Sequence, residues 1–104
     1  MKRGEVWWAY LPRPAGRKPV VLLSRDSAYR VRGAVTVVPV TRTIRNIPVE
    51  VLLYKDEGLP SRSVVNVDDI TTIPKSLIKG RIAVLSAERM QQIEDAIRFA
   101  LDLP

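Results

Sequence analysis

The apolar residues of this chain fall into short runs of the length of β-strands, and a helix-length periodic pattern appears only once, after Ser86. Pro, Gly and charged residues separate the runs and favour turns. Because no crossover helices lie between the runs, neighbouring strands are expected to pair antiparallel. We therefore predict a mainly β fold with α structure (α+β): a small, bent sheet or open barrel of about six strands, with short helical turns and a C-terminal helix.

The predicted strands are rich in β-branched and aromatic residues. They cover residues 4–11, 20–23, 34–40, 48–54, 62–67 and 80–85, and residues 70–73 continue the fifth strand after a bend. Pro39 lies inside the third run and indicates an edge position, a bulge or a strand end there. Ser86 is a good N-cap for the final helix. The apolar stripe of that helix is predicted to cover the sheet and comprises Met90, Ile93, Ile97, Ala100 and Leu101.

Length and composition narrow the possible functions. At 104 residues the chain is predicted to be a single domain, residues 1–104. It contains no cysteine and no histidine, which excludes disulfides, thiolate metal sites, cysteine nucleophiles and the commonest general base. No Walker loop or dinucleotide-binding glycine motif is present. We expect no cofactor, no bound metal, no membrane association and a cytoplasmic location.

Positive charge is concentrated in the first half of the chain. The net charge is +6, and residues 1–45 carry ten Lys/Arg against only Glu5 and Asp26, a balance of +8. Residues 46–104 carry seven Lys/Arg against nine Asp/Glu, a balance of −2. This asymmetry predicts a surface that binds a polyanion, with nucleic acid as the favoured partner.

The two central apolar runs, residues 20–23 and 34–40, each have cations at one end. If they pair antiparallel, the start of one run lies beside the end of the other. Arg17, Lys18, Thr41 and Arg42 would then meet at one rim of the sheet. Fixed cations beside a hydroxyl group form a suitable site for a phosphate.

RNA cleavage is a reaction that such a rim can support, because the 2′-OH of the substrate is the nucleophile. The reaction needs a base for the 2′-OH, cations for the phosphorane and an acid for the 5′-oxygen. Asp68 is the candidate base, with capping of a turn as its alternative role. Lys18, or Arg17 beside it, is the candidate for charge stabilisation, and Lys18 is also the candidate acid. Thr41 is the candidate donor to a phosphate oxygen.

Further residues are candidates for RNA binding. Trp7 and Trp8 point to opposite faces of the first strand, so one is predicted to be buried and the other to stack on a base; burial of both is the alternative. The predicted RNA-binding residues are Trp8, Arg13, Arg17, Arg42, Arg45 and Asn66.

Five segments in order resemble the MazF/PemK family of toxin endoribonucleases: KRGEVWWAYL, KPVVLLSRD, VTVVPVTRT, SVVNVDDITTIPKSLI and GRIAVLSAERMQQIEDAIRFAL. The resemblance implies an SH3-like barrel and a homodimer. It implies metal-independent cleavage of single-stranded RNA at a short sequence, leaving 2′,3′-cyclic phosphate and 5′-OH ends. It also implies a MazE-like antitoxin whose extended tail blocks the RNA groove, with DNA contacted only indirectly through that antitoxin.

The resemblance assigns roles by position. The catalytic arginine of the family falls on Lys18, which keeps the charge but loses the bidentate geometry, so Arg17 is the alternative. The threonine of the family falls on Thr41. An Arg-x-Asp pair of some members falls on Asn66 and Asp68. The alternatives to the nuclease are a non-catalytic barrel that binds single-stranded nucleic acid and a gyrase-inhibiting toxin of the same fold.

Overall fold

The computed structural model describes residues 1–104 and contains seven strands and two helices. The strands are β1 (Glu5–Tyr10), β2 (Arg17–Leu22), β3 (Ala34–Thr41), β4 (Glu50–Leu53), β5 (Ser63–Asn66), β6 (Thr71–Pro74) and β7 (Ile78–Val84). The helices are α1 (Ala28–Val31) and α2 (Ala87–Ala100), and single 3-10 turns cover Lys55–Glu57, Val67–Asp69 and Lys75–Leu77. The predicted fold class is confirmed. The strand count is seven rather than about six, because residues 71–74 form a strand of their own and do not continue β5.

All strand pairs are antiparallel, and β3 is the central strand of the sheet. The order is β4-β5-β3-β2-β1-β7, and β6 also pairs with β3. Along one edge of β3 the partner changes from β6, which ends its pairing at Val37, to β5, which begins at Val40. Pro39 lies in this gap, where its missing N–H costs no ladder hydrogen bond. The 3-10 turn Val67–Asp69 joins the two partner strands across the same gap.

The paired strands β2 and β3 are buried on both faces and separate two apolar clusters. Val21 and Val38 face the larger cluster, which α2 covers with Met90 and Ile93. Val20 belongs to the smaller cluster together with Leu22, Val37 and Tyr29. Apolar side chains therefore cover both faces of this strand pair.

Helix α2 begins as predicted. The Ser86 hydroxyl accepts a hydrogen bond from the Arg89 backbone N–H at 3.0 Å. Two ion pairs fix the helix to the rest of the chain: Arg3 with Glu94, and Arg89 with Glu57, both at 3.0 Å. No helix of the chain is both long enough and apolar enough to span a bilayer.

The predicted stripe of α2 is wrong at its last residue, because Leu101 is 60% exposed. The buried positions of the helix are Met90, Ile93 and Ala96. The helix ends at Ala100, so Leu101 no longer follows the helical face that meets the sheet.

The sheet curls so that its two ends approach each other. Gly58, in the turn after β4, has a φ of +97°, and a Cβ placed there would lie 2.9 Å from the Cβ of Ala83 in β7. Only a residue without a side chain allows this contact, which brings the turn after β4 against the strand at the other end of the order.

Gly58→Ala should lower the free energy of unfolding by about 2–5 kcal/mol, because the left-handed backbone costs an L-residue about 1–2 kcal/mol and overpacking adds about 1–3 kcal/mol. Gly16→Ala is the matched control: Gly16 also has a positive φ, +67°, but open space around it. Urea unfolding of both variants measures the two effects. Equal losses would show that the contact with Ala83 contributes nothing.

Glu5 is a buried carboxylate that ties the N-terminus to the sheet. It is 7% exposed and accepts hydrogen bonds from the Lys2 backbone N–H at 2.8 Å, the Trp7 indole at 3.0 Å and the Arg81 guanidinium at 3.3 Å. Burial alone would raise the pKa of Glu5, but the three hydrogen bonds outweigh it and hold the pKa below the ordinary value of 4.5.

A lowered pKa makes Glu5 a source of acid sensitivity. Its ionisation stabilises the fold above the unfolded value of 4.5, and this contribution is lost as the pH falls through the lower, folded value. Glu5→Gln should therefore be less stable than wild type at pH 7, by about 1–3 kcal/mol, and the difference should shrink below pH ~4. Urea unfolding across pH 3–7 tests this, with Asp56→Asn, an exposed carboxylate, as control. A difference that is independent of pH would contradict the assignment.

Candidate nucleic-acid interface

The predicted meeting of cations and hydroxyl at one end of β2 and β3 is present. The two strands pair with Val20 opposite Pro39, Val21 opposite Val38 and Leu22 opposite Val37. Continued by two residues, this register brings Lys18 beside Thr41. Both residues are half-buried and line one groove.

The main groove has a volume of about 650 Å³. One set of its lining residues comes from β1, β2, β3 and the residues after β3: Trp8, Arg17, Lys18, Thr41, Arg42 and Thr43. The other wall comes from the segment before β5 and the first residue of β5, with Pro60, Ser61 and Ser63. Pairing of Thr41 with Val64 of β5 places that wall beside the end of β3.

Trp8 and Arg17 form a stacked pair in the main groove. Trp8 lies opposite Pro19 in the β1–β2 ladder, so Arg17 is its diagonal neighbour across the strands. The guanidinium carbon of Arg17 lies 4.0 Å from the centroid of the Trp8 ring, within the range of a cation–π interaction. Trp7 points the other way, packs against the smaller apolar cluster and donates to Glu5. One tryptophan therefore serves the core, and the other lines the groove.

The cations of the interface have no acidic partners. The four ion pairs of the chain use Arg3, Arg81, Arg89 and Arg98, none of which lines the groove. Arg17, Lys18 and Arg42 therefore leave their charges uncompensated on one surface. Such a surface attracts a polyanion over several ångströms and gains affinity by releasing its counterions.

A smaller recess, the side cavity, opens next to the main groove and has a volume of about 290 Å³. Lys18, Thr41 and Thr43 line both spaces, so they form the ridge between them. The remaining lining residues of the side cavity are Leu11, Ala15, Pro39, Arg45 and Asp69.

The walls of the side cavity are held by two side chains that face each other across β4 and β5. Glu50 is paired with Asn66 in that ladder. The Glu50 carboxylate accepts from the backbone N–H groups of Arg45 and Asn46, at 3.0 and 2.8 Å. The Asn66 amide oxygen accepts from the Asp68 N–H at 3.0 Å and caps the 3-10 turn that carries Asp69.

The structure brings together six of the nine predicted site residues. Trp8, Arg17, Lys18, Thr41 and Arg42 line the main groove, and Lys18, Thr41 and Arg45 line the side cavity.

The other three predicted residues lie outside both spaces. Arg13 is exposed on the β1–β2 loop, and Asn66 is 8% exposed and engaged in its cap. Asp68 is exposed but lines neither space, so the structure does not bring the candidate base together with Lys18 and Thr41. The reason is local: the capped 3-10 turn directs Asp69, not Asp68, to the side cavity.

Four polar lining residues were not among the predicted site residues: Thr43, Ser61, Ser63 and Asp69. The two serines carry no charge and are distant in sequence, so no pattern marked them. The Asp68-Asp69 pair did carry a signal, but the turn that selects between the two carboxylates is not visible as a periodicity. No group of three or more acidic side chains is close enough to hold a metal ion.

Fold and site together define a small antiparallel β protein. At the end of its central strands lies a groove lined by basic side chains that form no ion pairs. Residues 2–101 match the family model of the PemK-like, MazF-like toxins of type II toxin–antitoxin systems. The chain belongs to this family, and the resemblance seen in the sequence is confirmed.

Known proteins resemble this chain in sequence and in structure over nearly its whole length. A probable endoribonuclease MazF5 of Mycobacterium tuberculosis is 41% identical over 102 residues, covering 96% of this chain and 92% of that protein. The structure of the Mycobacterium tuberculosis toxin MazF-mt6 superposes with a TM-score of 0.88 at 32% identity, covering 96% of this chain and 98% of that one. A mycobacterial endoribonuclease in complex with its cognate antitoxin has a TM-score of 0.88 at 29% identity, with coverage of 100% and 97%.

Glu50→Ala should loosen the wall of the side cavity that carries Arg45. Hydrogen bonds to a charged acceptor are worth about 1.5–3 kcal/mol, so the amides of Arg45 and Asn46 should exchange with solvent about tenfold faster or more. Hydrogen exchange followed by NMR measures this, with the central amides of Val21 and Val38 as internal controls. Unchanged exchange at Arg45 and Asn46 would show that Glu50 does not hold the loop.

Proposed function

We propose that this protein is a toxin endoribonuclease that cleaves single-stranded RNA at a short sequence in the cytoplasm. The observation that carries the proposal is the ridge formed by Lys18 and Thr41, with unpaired cations on both sides of it. An amine and a hydroxyl at the meeting point of two cavities suit a phosphate whose flanking nucleotides occupy the two spaces. The endoribonuclease names of the family relatives support the same reaction.

The reaction we propose is attack of the 2′-OH on the adjacent phosphorus with departure of the 5′-oxygen. The P–O2′ bond forms and the P–O5′ bond breaks, which leaves a 2′,3′-cyclic phosphate and a 5′-OH. The proton of the 2′-OH passes to solvent water, because the candidate base Asp68 lines neither space. Lys18 stabilises the charge that builds on the phosphorane and gives a proton to the leaving 5′-oxygen, while the Thr41 hydroxyl donates to a phosphate oxygen. Because the substrate supplies the nucleophile, the step needs no metal-bound hydroxide, and we propose that it is metal-independent.

The main groove supplies binding on one side of the ridge. Arg42 and Arg17 offer charge to backbone phosphates. The half-buried Trp8 side chain, which Arg17 covers on one face, offers its remaining exposed surface to a base. Arg17 is held over the Trp8 ring, so we assign the catalytic charge to Lys18 rather than to Arg17.

We also propose that the toxin is a homodimer neutralised by a cognate antitoxin. The mycobacterial relative that was solved with its antitoxin supports the second part. Exposed apolar side chains at the end of α2 and on β7 support the first: Phe99 is 62% exposed, Leu101 60% and Val84 61%.

Lys18→Ala and Thr41→Ala should each reduce the rate of cleavage by at least about tenfold, the scale of a lost electrostatic or acid–base group. Lys55→Ala, at an exposed lysine that lines neither cavity, is the matched control for charge. The assay uses mixed RNA with EDTA present, and the fragments should end in cyclic phosphate. Wild-type rates in both groove variants would refute the assignment of the ridge.

The same assay separates the alternatives. Intact RNA together with salt-dependent binding would identify a non-catalytic nucleic-acid-binding barrel. Intact RNA with inhibition of DNA supercoiling would identify a gyrase-directed toxin of this fold.

A further inference from the structure

One carboxylate lies among the cations of the interface, and neither the proposed reaction nor the binding of phosphates uses it. Asp69 lines the side cavity together with Lys18 and Arg45. It forms no hydrogen bond or ion pair within the chain. A negative charge beside the path of a polyanion weakens binding by like-charge repulsion. Towards an RNA ligand, its position is favourable where a base offers hydrogen-bond donors at that point.

The position of Asp69 is built into the fold. The β6 strand starts opposite Val37 of β3, so the turn that precedes β6 runs past Pro39, where this edge of β3 has no strand partner. The Asn66 side chain caps this turn and fixes its direction. The capped 3-10 turn between β5 and β6 thus holds Asp69 on the wall of the side cavity.

We propose that the side cavity is a subsite for one nucleobase next to the scissile phosphate and that Asp69 selects guanine there. The inference rests on the proposed function, because it takes RNA as the ligand of the ridge. The volume of about 290 Å³ is near the lower end of the range for small-ligand sites, about 300 Å³. Leu11 and Pro39 give the cavity an apolar part against which a flat ring packs.

The edges of the four bases decide the choice of guanine. Guanine presents two adjacent N–H donors, N1 and N2, which one carboxylate accepts together, and next to them the O6 acceptor, which suits a cation such as Arg45. Adenine and cytosine present one amino group beside an acceptor nitrogen, which a carboxylate oxygen repels. Uracil presents a single N–H between two carbonyl groups. Guanine is therefore the one base whose edge offers two donors to a carboxylate and, next to them, an acceptor to a cation.

The test compares guanosine with inosine, which lacks only the N2 amino group, at the nucleotides on either side of the cleaved bond. In wild type, guanosine at one of these positions should give a kcat/KM about tenfold higher than inosine, the scale of a hydrogen bond to a charged acceptor. Asp69→Asn should remove most of this difference and shift the mapped cut sites away from guanine. Asp68→Asn deletes the same charge one residue earlier and should keep the wild-type base preference.

A second measurement separates this subsite from the reaction. Oligonucleotides with a single 2′-deoxy nucleotide at the cleavage position cannot react, and their affinity for wild type should also fall about tenfold from guanosine to inosine, but not for Asp69→Asn. If this difference in binding is seen but the normal RNA is not cleaved, the proposed nuclease function is refuted and the guanine subsite is retained. Equal kcat/KM for guanosine and inosine in wild type would overturn the subsite, even if cleavage proceeds. A uniform loss of rate in Asp69→Asn with the guanosine preference intact would also overturn it and assign Asp69 to proton transfer.

Discussion

Antiparallel pairing of β2 with β3 is the contact on which both the core and the interface depend. The register that sets Val21 opposite Val38 sends successive side chains into two apolar clusters, so a slip by one residue would exchange the two faces. The same register continues past the buried region to Lys18 and Thr41. The energy that fixes the basic ridge is therefore the burial of the strands behind it, and the polar residues need not stabilise one another. This suits a site whose charges must stay unpaired.

The chain uses its arginines in two different ways. Arg3 and Arg89 lie on the side of α2, and each is neutralised by a glutamate at 3.0 Å. Arg17, at the groove, contacts the face of the Trp8 ring. The ring carries no charge, so it positions the guanidinium of Arg17 without neutralising it. Net charge alone does not distinguish these uses. The partners in the folded chain do: a glutamate meets Arg3 and another meets Arg89, whereas no carboxylate pairs with Arg17.

Patterns of apolar residues predicted most of the fold, because strand and helix periods are local properties of the sequence. The β2–β3 rim followed from two runs and the rule of antiparallel pairing. What failed was decided by single turns. Leu101 left the apolar face where α2 ends, and Asp69 instead of Asp68 lines the cavity because the predicted bend is a capped 3-10 turn. A strand and a 3-10 turn direct neighbouring side chains differently, and Val67–Asp69 has no period that reveals which is present. Ser61 escaped notice because only the curled sheet brings it to the groove.

Asn66 shows how a residue of an interface can act without touching the ligand. It was predicted to bind RNA, yet it is buried and holds the turn of Asp69, while its ladder partner Glu50 holds the loop of Arg45. One pair at the end of β4 and β5 thus sets both the negative and the positive wall of the side cavity. Since β4 is the last strand of the sheet and pairs only with β5, this end has fewer supports than the β2–β3 ridge. The ridge is therefore the rigid part of the interface, and the cavity walls are the part that sequence changes can alter at little cost to the fold.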